Sequence, residues 1–320
     1  MQEANNNKYP NDFDHEINFR ELFYVLLEGK WIIVSLSAFA SIIAVIYSLL
    51  LPNIYESKAL LAPVNSSSSI SGALASYSSL AGIAGISLPS GDDEDNSSKA
   101  IQKISSLSFF ENNILTNVYL PNLMAVLSWD YKTNTLTYDD SIFDTNANTW
   151  VRSFSYPKQQ IPSSQESFEV FKTAHLSIIE DKKSGFITLA IKHQSPFIAK
   201  KWTELVVNEV NSFYRQKDKL ESEKAVSYLN QQISMTGLSE IKQVLAQLLQ
   251  EETKKLTLIE ANQFYVFDYI DPPAVMELKS EPNRAAICIF IALMGGILSV
   301  LLVLVRYYIF SKKDVQSLDL

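Results

Sequence analysis

One stretch near the end of the chain decides the fold: Ala285-Ala-Ile-Cys-Ile-Phe-Ile-Ala-Leu-Met-Gly-Gly-Ile-Leu-Ser-Val-Leu-Leu-Val-Leu-Val305. Its 21 residues include thirteen Ile, Leu, Phe or Val side chains and no charged residue. A helix of this length spans about 31 Å, close to the thickness of the hydrocarbon core of a bilayer. A helix on the surface of a soluble protein would show a polar edge, and this stretch shows none. The stretch is therefore predicted to be a transmembrane helix, residues 285–305.

A second apolar run, residues 31–51, lies near the other end of the chain. A cleaved signal peptide is the competing interpretation of such a run. It is disfavoured because the thirty preceding residues are acidic rather than basic and no small-x-small cleavage site follows Leu51. Pro52 ends the helix instead. The run is predicted to be a retained first transmembrane helix.

Two spans place both termini on the same side of a membrane. Five basic residues lie near the spans on the side of the two termini, and three lie near them on the side of the connecting loop. This excess predicts cytoplasmic segments at 1–30 and 306–320. The exported domain is then residues 52–284. The five are Arg20, Lys30, Arg306, Lys312 and Lys313, and the three are Lys58, Lys279 and Arg284.

The charge of this exported domain limits its partners. It carries 27 acidic and 21 basic side chains, a net charge of −6, so no basic field attracts nucleic acid. The only cysteine, Cys288, lies in the second predicted span, so the domain has no disulfide. This composition is compatible with a bacterial periplasm, where disulfides are permitted but not required.

The exported domain is predicted to be α+β, with a small mixed sheet and long extended helices. Residues 175–193 have the period-two pattern and central turn of a β-hairpin, and residues 55–64 read as a strand. Ser195 and Pro196 begin a helix that runs to about residue 233, and a second follows from 238 to about 262. Together they predict an antiparallel helical arm over about 196–262.

The segments around the first span give weaker signals. Residues 15–30 are predicted to contain a short amphipathic helix. Asn18 is its predicted N-cap, Glu21 completes the capping box, and Gly29 is predicted to break the helix before the membrane. The apolar stretch 72–88 is expected to pack on a neighbouring chain or on the domain. Asp92–Asp95 lacks the ligand spacing of a helix-loop-helix calcium site and is predicted to be a solvated loop.

Motifs of catalysis are missing from the sequence. It contains no phosphate-binding Gly-x-x-x-x-Gly-Lys-Ser/Thr loop and no Gly-x-Ser-x-Gly nucleophile turn. Of three histidines, His175 and His193 lack metal-ligand spacing, and His193 is predicted to be a structural or surface group. No carboxylate pair stands out for glycoside chemistry. The sequence predicts no catalytic residue, no metal and no cofactor.

Six short stretches, in a fixed order around the two predicted spans, carry a family resemblance. They are Glu16-Ile-Asn-Phe-Arg-Glu-Leu-Phe23, Leu51-Pro-Asn-Ile-Tyr-Glu-Ser57, Leu80-Ala-Gly-Ile-Ala-Gly-Ile-Ser87, Trp202-Thr-Glu-Leu-Val-Val-Asn-Glu-Val-Asn211, Tyr265-Val-Phe-Asp-Tyr-Ile-Asp-Pro-Pro273 and Glu281-Pro-Asn-Arg284. In this order the sequence resembles the chain-length determinant, or polysaccharide co-polymerase, family of bacterial inner membranes.

The resemblance implies a non-enzymatic regulator of surface-polysaccharide chain length, of the lipopolysaccharide O-antigen kind. It implies a ring-like homo-oligomer that works with a membrane polysaccharide polymerase on glycan linked to a lipid carrier. The alternatives are a kinase-less adaptor for capsular or exopolysaccharide polymerisation and export, and a periplasmic sensor. The resemblance also assigns a proline-rich family motif to Pro272, Pro273, Pro282 and Arg284, although Met276 stands where the family usually has a further proline.

Two groups of residues are candidates for a functional role. The proline-rich segment 272–284 is predicted to be a semi-rigid strut that reaches at most about 40 Å, with Pro282 in the first turn of the second span. Small residues four apart in the spans are predicted to let the membrane helices approach closely. They are Ala40, Ala44 and Ser48 in the first span, and Ala292, Gly295, Gly296 and Ser299 in the second.

Overall fold

A computed structural model of the chain describes residues 19–64, 96–262 and 264–316. These residues divide into a helical unit, which runs up to Leu51 and resumes at Pro282, and an α/β unit, Pro52–Glu281. The predicted cap Asn18, the apolar stretch 72–88 and the loop Asp92–Asp95 lie outside the described residues.

The helical unit contains three helices. They are α1 (Phe19–Glu28), α2 (Lys30–Leu50) and, at the other end of the chain, α9 (Arg284–Gln316). Gly29 separates α1 from α2, as predicted. Within the described residues, the segments Lys30–Leu50 and Arg284–Tyr307 are the two that are long and apolar enough to cross a membrane. Most of their side chains are exposed, as lipid-facing side chains would be.

The α/β unit alternates short strands with helices of very different length. In chain order its elements are β1 (Tyr55–Pro63), α3 (Asn96–Ile104), α4 (Leu107–Phe109), α5 (Leu120–Met124), β2 (Val126–Asp130), β3 (Thr135–Tyr138), β4 (Phe143–Asp144), β5 (Thr149–Trp150), α6 (Ser164–Val170), β6 (Leu176–Glu180), β7 (Ile187–His193), α7 (Pro196–Met235), α8 (Ser239–Ala261) and β8 (Phe267–Asp271). Two π-helical turns, Phe110–Ile114 and Phe171–His175, extend α4 and α6.

The main sheet has four strands in the order β6-β7-β1-β8, and each neighbouring pair is antiparallel. The prediction of a mixed sheet was wrong in this respect. The long helices return the chain to the sheet, so β7 and β8 run in the same direction. However, β1 lies between them and pairs with both, which leaves no parallel neighbours. Two further hairpins, β2–β3 and β4–β5, stand apart from this sheet.

The hairpin β6–β7 forms where the sequence predicts it. Its turn closes when the backbone N–H of Gly185 donates to the carbonyl of Asp181, 2.7 Å away. Gly185 has a φ of +71°, a left-handed conformation that favours glycine because it lacks a Cβ. The alternate residues Ile187, Leu189 and Ile191 are buried, as their period-two spacing predicts.

The arm consists of α7 and α8, which pack against each other. The 40 residues of α7 make a helix about 60 Å long, which begins at Pro196 as predicted. Its first half packs on β1 and β7 and buries Trp202, Val206 and Val210. Its second half carries charged residues and buries little, so it extends beyond the core formed by the sheet.

The core lies between the sheet, the first half of α7 and the short helices of the unit. Aromatic side chains fill much of it. The ring of Phe110, for example, lies 5.6 Å from that of Phe168 and 5.1 Å from that of Phe171, centroid to centroid. The aromatic, aliphatic and indole side chains that form it include Leu61, Phe109, Phe110, Ile114, Phe171, Leu189, Trp202, Val206 and Phe267.

Candidate functional site

The two membrane-length helices α2 and α9 pack as an antiparallel pair. A Cβ built on Gly295 would lie 2.5 Å from the Cβ of Ala40, so no side chain fits at this position without movement. Further along, the hydroxyls of Ser37 and Ser299 lie 3.4 Å apart. Close approach of backbones at small residues is the usual basis of helix pairing in lipid, where no hydrophobic force draws helices together.

Five of the seven predicted small residues lie on this contact. Ala44, Ser48, Gly295 and Ser299 are buried, and Ala40 faces Gly295. Their spacing of four residues keeps them on one side of each helix. The structure therefore brings the two predicted groups of small residues together within the helical unit.

The other two predicted residues, Ala292 and Gly296, lie at the margin of the contact. They form part of an open apolar groove of about 640 Å³ along α9. A Cβ on Gly296 would be 3.9 Å from the hydroxyl oxygen of Ser37, an ordinary van der Waals distance. The remaining lining residues are Ile289, Leu293, Ile297, Val300 and Leu301.

Two further contacts in this pair were not predicted. Ser37, the partner of Ser299, is not among the predicted small residues. Gly29 is predicted only to break the helix, yet a Cβ there would collide with the side chain of Val303. Ser37 lies opposite the small residue Ser299 in antiparallel register, which is a signal present in the sequence, whereas Gly29 faces the larger Val303 and has no such signal.

Arg284 joins the start of α9 to the end of α2. Its Nε donates to the carbonyl of Ser48 at 3.1 Å. This carbonyl belongs to the last turn of α2, where the final carbonyls have no partner within the helix and carry partial negative charge. The guanidinium of a predicted motif residue thus meets the backbone of a predicted packing residue.

The start of α9 corrects the predicted position of Pro282. The N–H of Ala286 donates to Oδ1 of Asn283 at 3.2 Å, and the N–H of Ile287 donates to the carbonyl of Asn283. Asn283 is therefore the residue that caps the helix, and Pro282 precedes the cap instead of lying in the first turn. Asparagine favours this position because its side chain accepts from the exposed N–H groups.

The proline-rich segment lies along the first residues of β1. The hydroxyl of Ser57 donates to the carbonyl of Ala274 at 2.8 Å, and Ile54 forms a β-bridge with Glu281. Pro273 is buried, whereas Pro272 is exposed. Residues 272–281 are thus held on the α/β unit and do not cross open space. Their prolines end the pairing of β8, since proline has no N–H to donate.

Asn211 connects two of the stretches that carry the family resemblance. It is buried on α7, and its Oδ1 accepts from the backbone N–H groups of Val266 and Phe267 at 2.8 and 2.9 Å. Its Nδ2 donates to the carbonyl of Phe267 at 3.0 Å. A third N–H, from Tyr265, lies 3.3 Å from the same Oδ1. The Asn211 side chain thus forms backbone hydrogen bonds at the start of β8 of the kind that a neighbouring strand would form.

A second contact at this joint involves the hydroxyl of Tyr265. It donates to Oδ2 of Asp218 on α7 at 2.5 Å. Burial, together with this hydrogen bond to the carboxylate, raises the pKa of Tyr265 well above its usual value. Tyr265 is therefore a neutral donor, and it ties the entry of β8 to the arm.

The two described histidines form a buried structural cluster with Trp202. His193 accepts from the N–H of Ser195 at Nδ1, 2.9 Å away, so its Nε2 carries the proton that reaches the carbonyl of Asn122 at 3.0 Å. His175 and His193 stack with ring centroids 5.7 Å apart. Burial lowers the pKa of His193 to about 4 and also lowers that of His175.

This cluster also determines how α7 begins. Ser195 is the N-cap residue, as predicted, but its side chain makes no capping hydrogen bond. Its backbone N–H is used instead, by His193. In the described parts of the chain, no group of three or more His, Cys, Asp or Glu side chains could hold a metal ion.

A protein-family model matches the region around the first membrane-length helix. The family model described as chain length determinant protein (Wzz) matches residues 15–115. This range contains α1, α2, β1, α3 and α4 and is about a third of the chain. The match confirms the resemblance predicted from the sequence. No curated protein sequence matches the chain.

Solved structures of polysaccharide co-polymerases show a low similarity to the chain. One is titled "full-length bacterial polysaccharide co-polymerase": it is 15% identical, has a TM-score of 0.40, and the match covers 92% of this chain and 99% of that one. Another is titled as a fragment of WzzB, a polysaccharide co-polymerase from Salmonella Typhimurium, with 14% identity, a TM-score of 0.29, and 72% and 100% coverage.

Proposed function

We propose that this chain is a non-enzymatic regulator of surface-polysaccharide chain length in a bacterial inner membrane. The match of residues 15–115 to the chain length determinant family is the observation that carries the proposal. Two membrane-length helices that pack as a pair, with a 230-residue unit between them, agree with that role. In this proposal both termini are cytoplasmic and the α/β unit lies in the periplasm.

The proposed mechanism is a scaffold and involves no catalysis by this chain. Several copies assemble and hold the polymerase and the lipid-carrier-linked glycan at a set geometry, so that extension stops around a preferred length. The arm offers α7 and α8 for contacts between copies. The pair α2–α9 anchors each copy, and its open groove along Ala292 and Gly296 offers a surface to the polymerase.

The proline-rich segment has a specific place in this mechanism. It runs from the end of β8 along the first residues of β1 to Glu281, next to the N-cap of α9. Contacts along β1 and the fixed φ of its prolines limit its freedom. We assign it the role of passing the geometry of the assembled α/β units to the membrane helices.

Deletion of the gene in its native host tests the proposal. Electrophoresis of the surface polysaccharide is expected to show polymer that is still made but has lost its preferred length, and the intact gene should restore that length. An unchanged length distribution would contradict the proposal. A reporter enzyme inserted at the exposed turn Asp181–Gly185 tests the topology, because activity only in the cytoplasm would exclude a periplasmic unit.

A further inference from the structure

An aromatic cluster lies at the end of the sheet where β1 begins. The ring of Tyr55, the first residue of β1, is 5.4 Å from the ring of Trp129 on β2, edge to face. Trp129 in turn lies 6.3 Å from Phe197, in the first turn of α7. The cluster therefore joins β1, the β2–β3 hairpin and α7.

Several large apolar side chains on the elements of this cluster are exposed. Leu127 and Tyr131, two residues to either side of Trp129, are 56% and 72% exposed, and Phe197 is 49% exposed. On the proline-rich segment, Leu278 is 83% exposed. Isolated exposed apolar residues are common, but several at one end of a sheet mark an interaction surface.

Both parts of this surface are attached to residues that directly follow the first span. Tyr55 comes four residues after Leu51, so the chain limits its distance from the end of that span to about 14 Å in any conformation. Lys279, beside Leu278, donates to Oδ1 of Asn53 at 3.3 Å. Asn53 follows Leu51 by two residues, which is at most about 7 Å.

The hairpin that carries Leu127 and Tyr131 is firmly attached at this end of the sheet. Gln194 directly follows His193, the residue that pairs with Tyr55 in the sheet. The Nε2 of Gln194 donates to the carbonyl of Val126 at 3.2 Å. At the tip, the indole N–H of Trp129 donates to Oδ1 of Asn134 at 2.9 Å. The apolar side chains are thus presented by an ordered hairpin.

The composition of this surface fits the headgroup region of a bilayer. Tyrosine and tryptophan concentrate at that depth, because one end of each ring is apolar and the other forms hydrogen bonds. Two lysines flank the surface: Lys132, with its Nζ 5.8 Å from the ring of Tyr131, and Lys279. The carboxylate of Asp130 accepts hydrogen bonds within its own turn, from the Lys132 N–H and the Thr133 hydroxyl.

We propose that Leu127, Tyr131, Phe197 and Leu278 form a membrane-facing patch that inserts into the lipid headgroup region around the first span. The patch would fix the height and tilt of the α/β unit over the bilayer, independently of contacts between copies. This inference rests on the proposed membrane-spanning role of α2. A second copy of the chain is the other possible occupant, and the test below separates the two.

Spin labels on the full chain in lipid nanodiscs test the proposal. Single cysteines are introduced as Leu127→Cys or Leu278→Cys in a Cys288→Ser background, since Cys288 is the only native cysteine. Collision of the label with oxygen, which concentrates in lipid, is compared with collision with a water-soluble nickel chelate. Both replaced side chains are exposed, so the fold should tolerate the labels.

Two further positions calibrate the measurement. Ile43→Cys lies on α2 and reports the lipid value if this helix spans the bilayer. Ile179, on the edge strand β6, is 63% exposed and pairs with Thr188, towards the other end of the sheet. A label at Ile179→Cys therefore reports the water value. Residues Leu127 and Ile179 are thus matched in exposure and differ in their place on the sheet.

The expected result is a loss of nickel collision at Leu127→Cys and Leu278→Cys relative to Ile179→Cys, with oxygen collision raised toward the Ile43→Cys value. Nickel collision equal to that of Ile179→Cys would overturn the patch. Exclusion of both reagents would overturn it in favour of a protein occupant. If Ile43→Cys itself behaves as a water-exposed position, the membrane-spanning role fails, which is a separate outcome.

Discussion

The guanidinium of Arg284 donates through Nε to the carbonyl of Ser48, 3.1 Å away, and so links the first residue of α9 to the last turn of α2. A cation at the carboxyl end of a helix is stabilising, because the last carbonyls carry partial negative charge. The contact also aligns the two helices, since the facing small residues Ala40 and Gly295 lie further along the same pair. Arg284 therefore closes one end of the helix pair.

Replacement of Arg284 by glutamine should weaken this pair. The charge and the hydrogen bond are lost together, and the free energy of unfolding should fall by about 1 to 2 kcal/mol. Titration of the full chain with denaturing detergent measures this. Arg306→Gln, at an exposed position of the same helix, is the matched control and should change little. Equal losses in both variants would contradict the assigned role.

A methyl group at Gly295 should separate the membrane helices, whereas one at Gly296 should not. The new Cβ of Gly295→Ala would lie 2.5 Å from Ala40, and overpacking of this kind costs about 1 to 3 kcal/mol. The adjacent Gly296→Ala meets the Ser37 oxygen only at 3.9 Å, an ordinary contact. The same detergent titration compares the two variants. Equal stability would show that the close contact does not exist in the bilayer.

Loss of the Asn211 side chain should destabilise the joint between α7 and β8. Asn211→Ala leaves buried N–H groups of Val266 and Phe267 without their acceptor, at a cost of about 3 kcal/mol. Thermal unfolding of the full chain, followed by circular dichroism, measures the effect. Asn208→Ala, one helical turn earlier and exposed, is the control. Similar melting of the two variants would contradict the role of Asn211.

The proline-rich segment should affect polysaccharide length apart from any effect on stability. Pro272→Ala and Pro282→Ala free the backbone at two positions that are not buried, so we expect an altered modal length at normal protein abundance. Pro273→Ala should also lower abundance, because Pro273 is buried. Gel electrophoresis of the glycan and an immunoblot separate these effects. A normal glycan ladder in the first two variants would refute the transmission role.

The histidine cluster should make the α/β unit sensitive to acid. The pKa of His193 is about 4 in the folded chain, below the value of about 6.5 that histidine has when unfolded. Neutral His193 therefore contributes full stability above pH 6.5, and this contribution is lost as the pH falls from 6.5 toward 4. Thermal unfolding at pH 7 and pH 5 should differ, and less so in His193→Gln. An equal pH dependence in the variant would rule out the cluster as its origin.

The predictable parts of the fold were those with local periodicity. An uninterrupted apolar run identifies a membrane-length helix, and the alternation of Ile187, Leu189 and Ile191 identifies a strand, because each pattern follows from geometry within one element. The helix start at Pro196 and the turn at Gly185 depend on single residues with restricted or special backbone angles. The resemblance to chain-length determinants came from the order of several weak motifs.

The parts that could not be predicted depend on partners far apart in sequence. That β1 lies between β7 and β8 follows from pairing across more than a hundred residues, for which strand propensity gives no signal. Asn211 looks like any polar helix residue until β8 is placed beside it. The cap at Asn283 had a local signal, an asparagine just before the apolar run, which the prediction of Pro282 in the first turn did not include.

Reconstitution of the membrane polymerase in liposomes, with and without this chain, tests the central claim most directly. The measured quantity is the length distribution of glycan on the lipid carrier at equal incorporation of repeat units. We predict a broad distribution from the polymerase alone and a distribution gathered around one length when the chain is present. An identical distribution in both samples, or shortening of finished glycan by the chain without the polymerase, would contradict a non-enzymatic regulator of length.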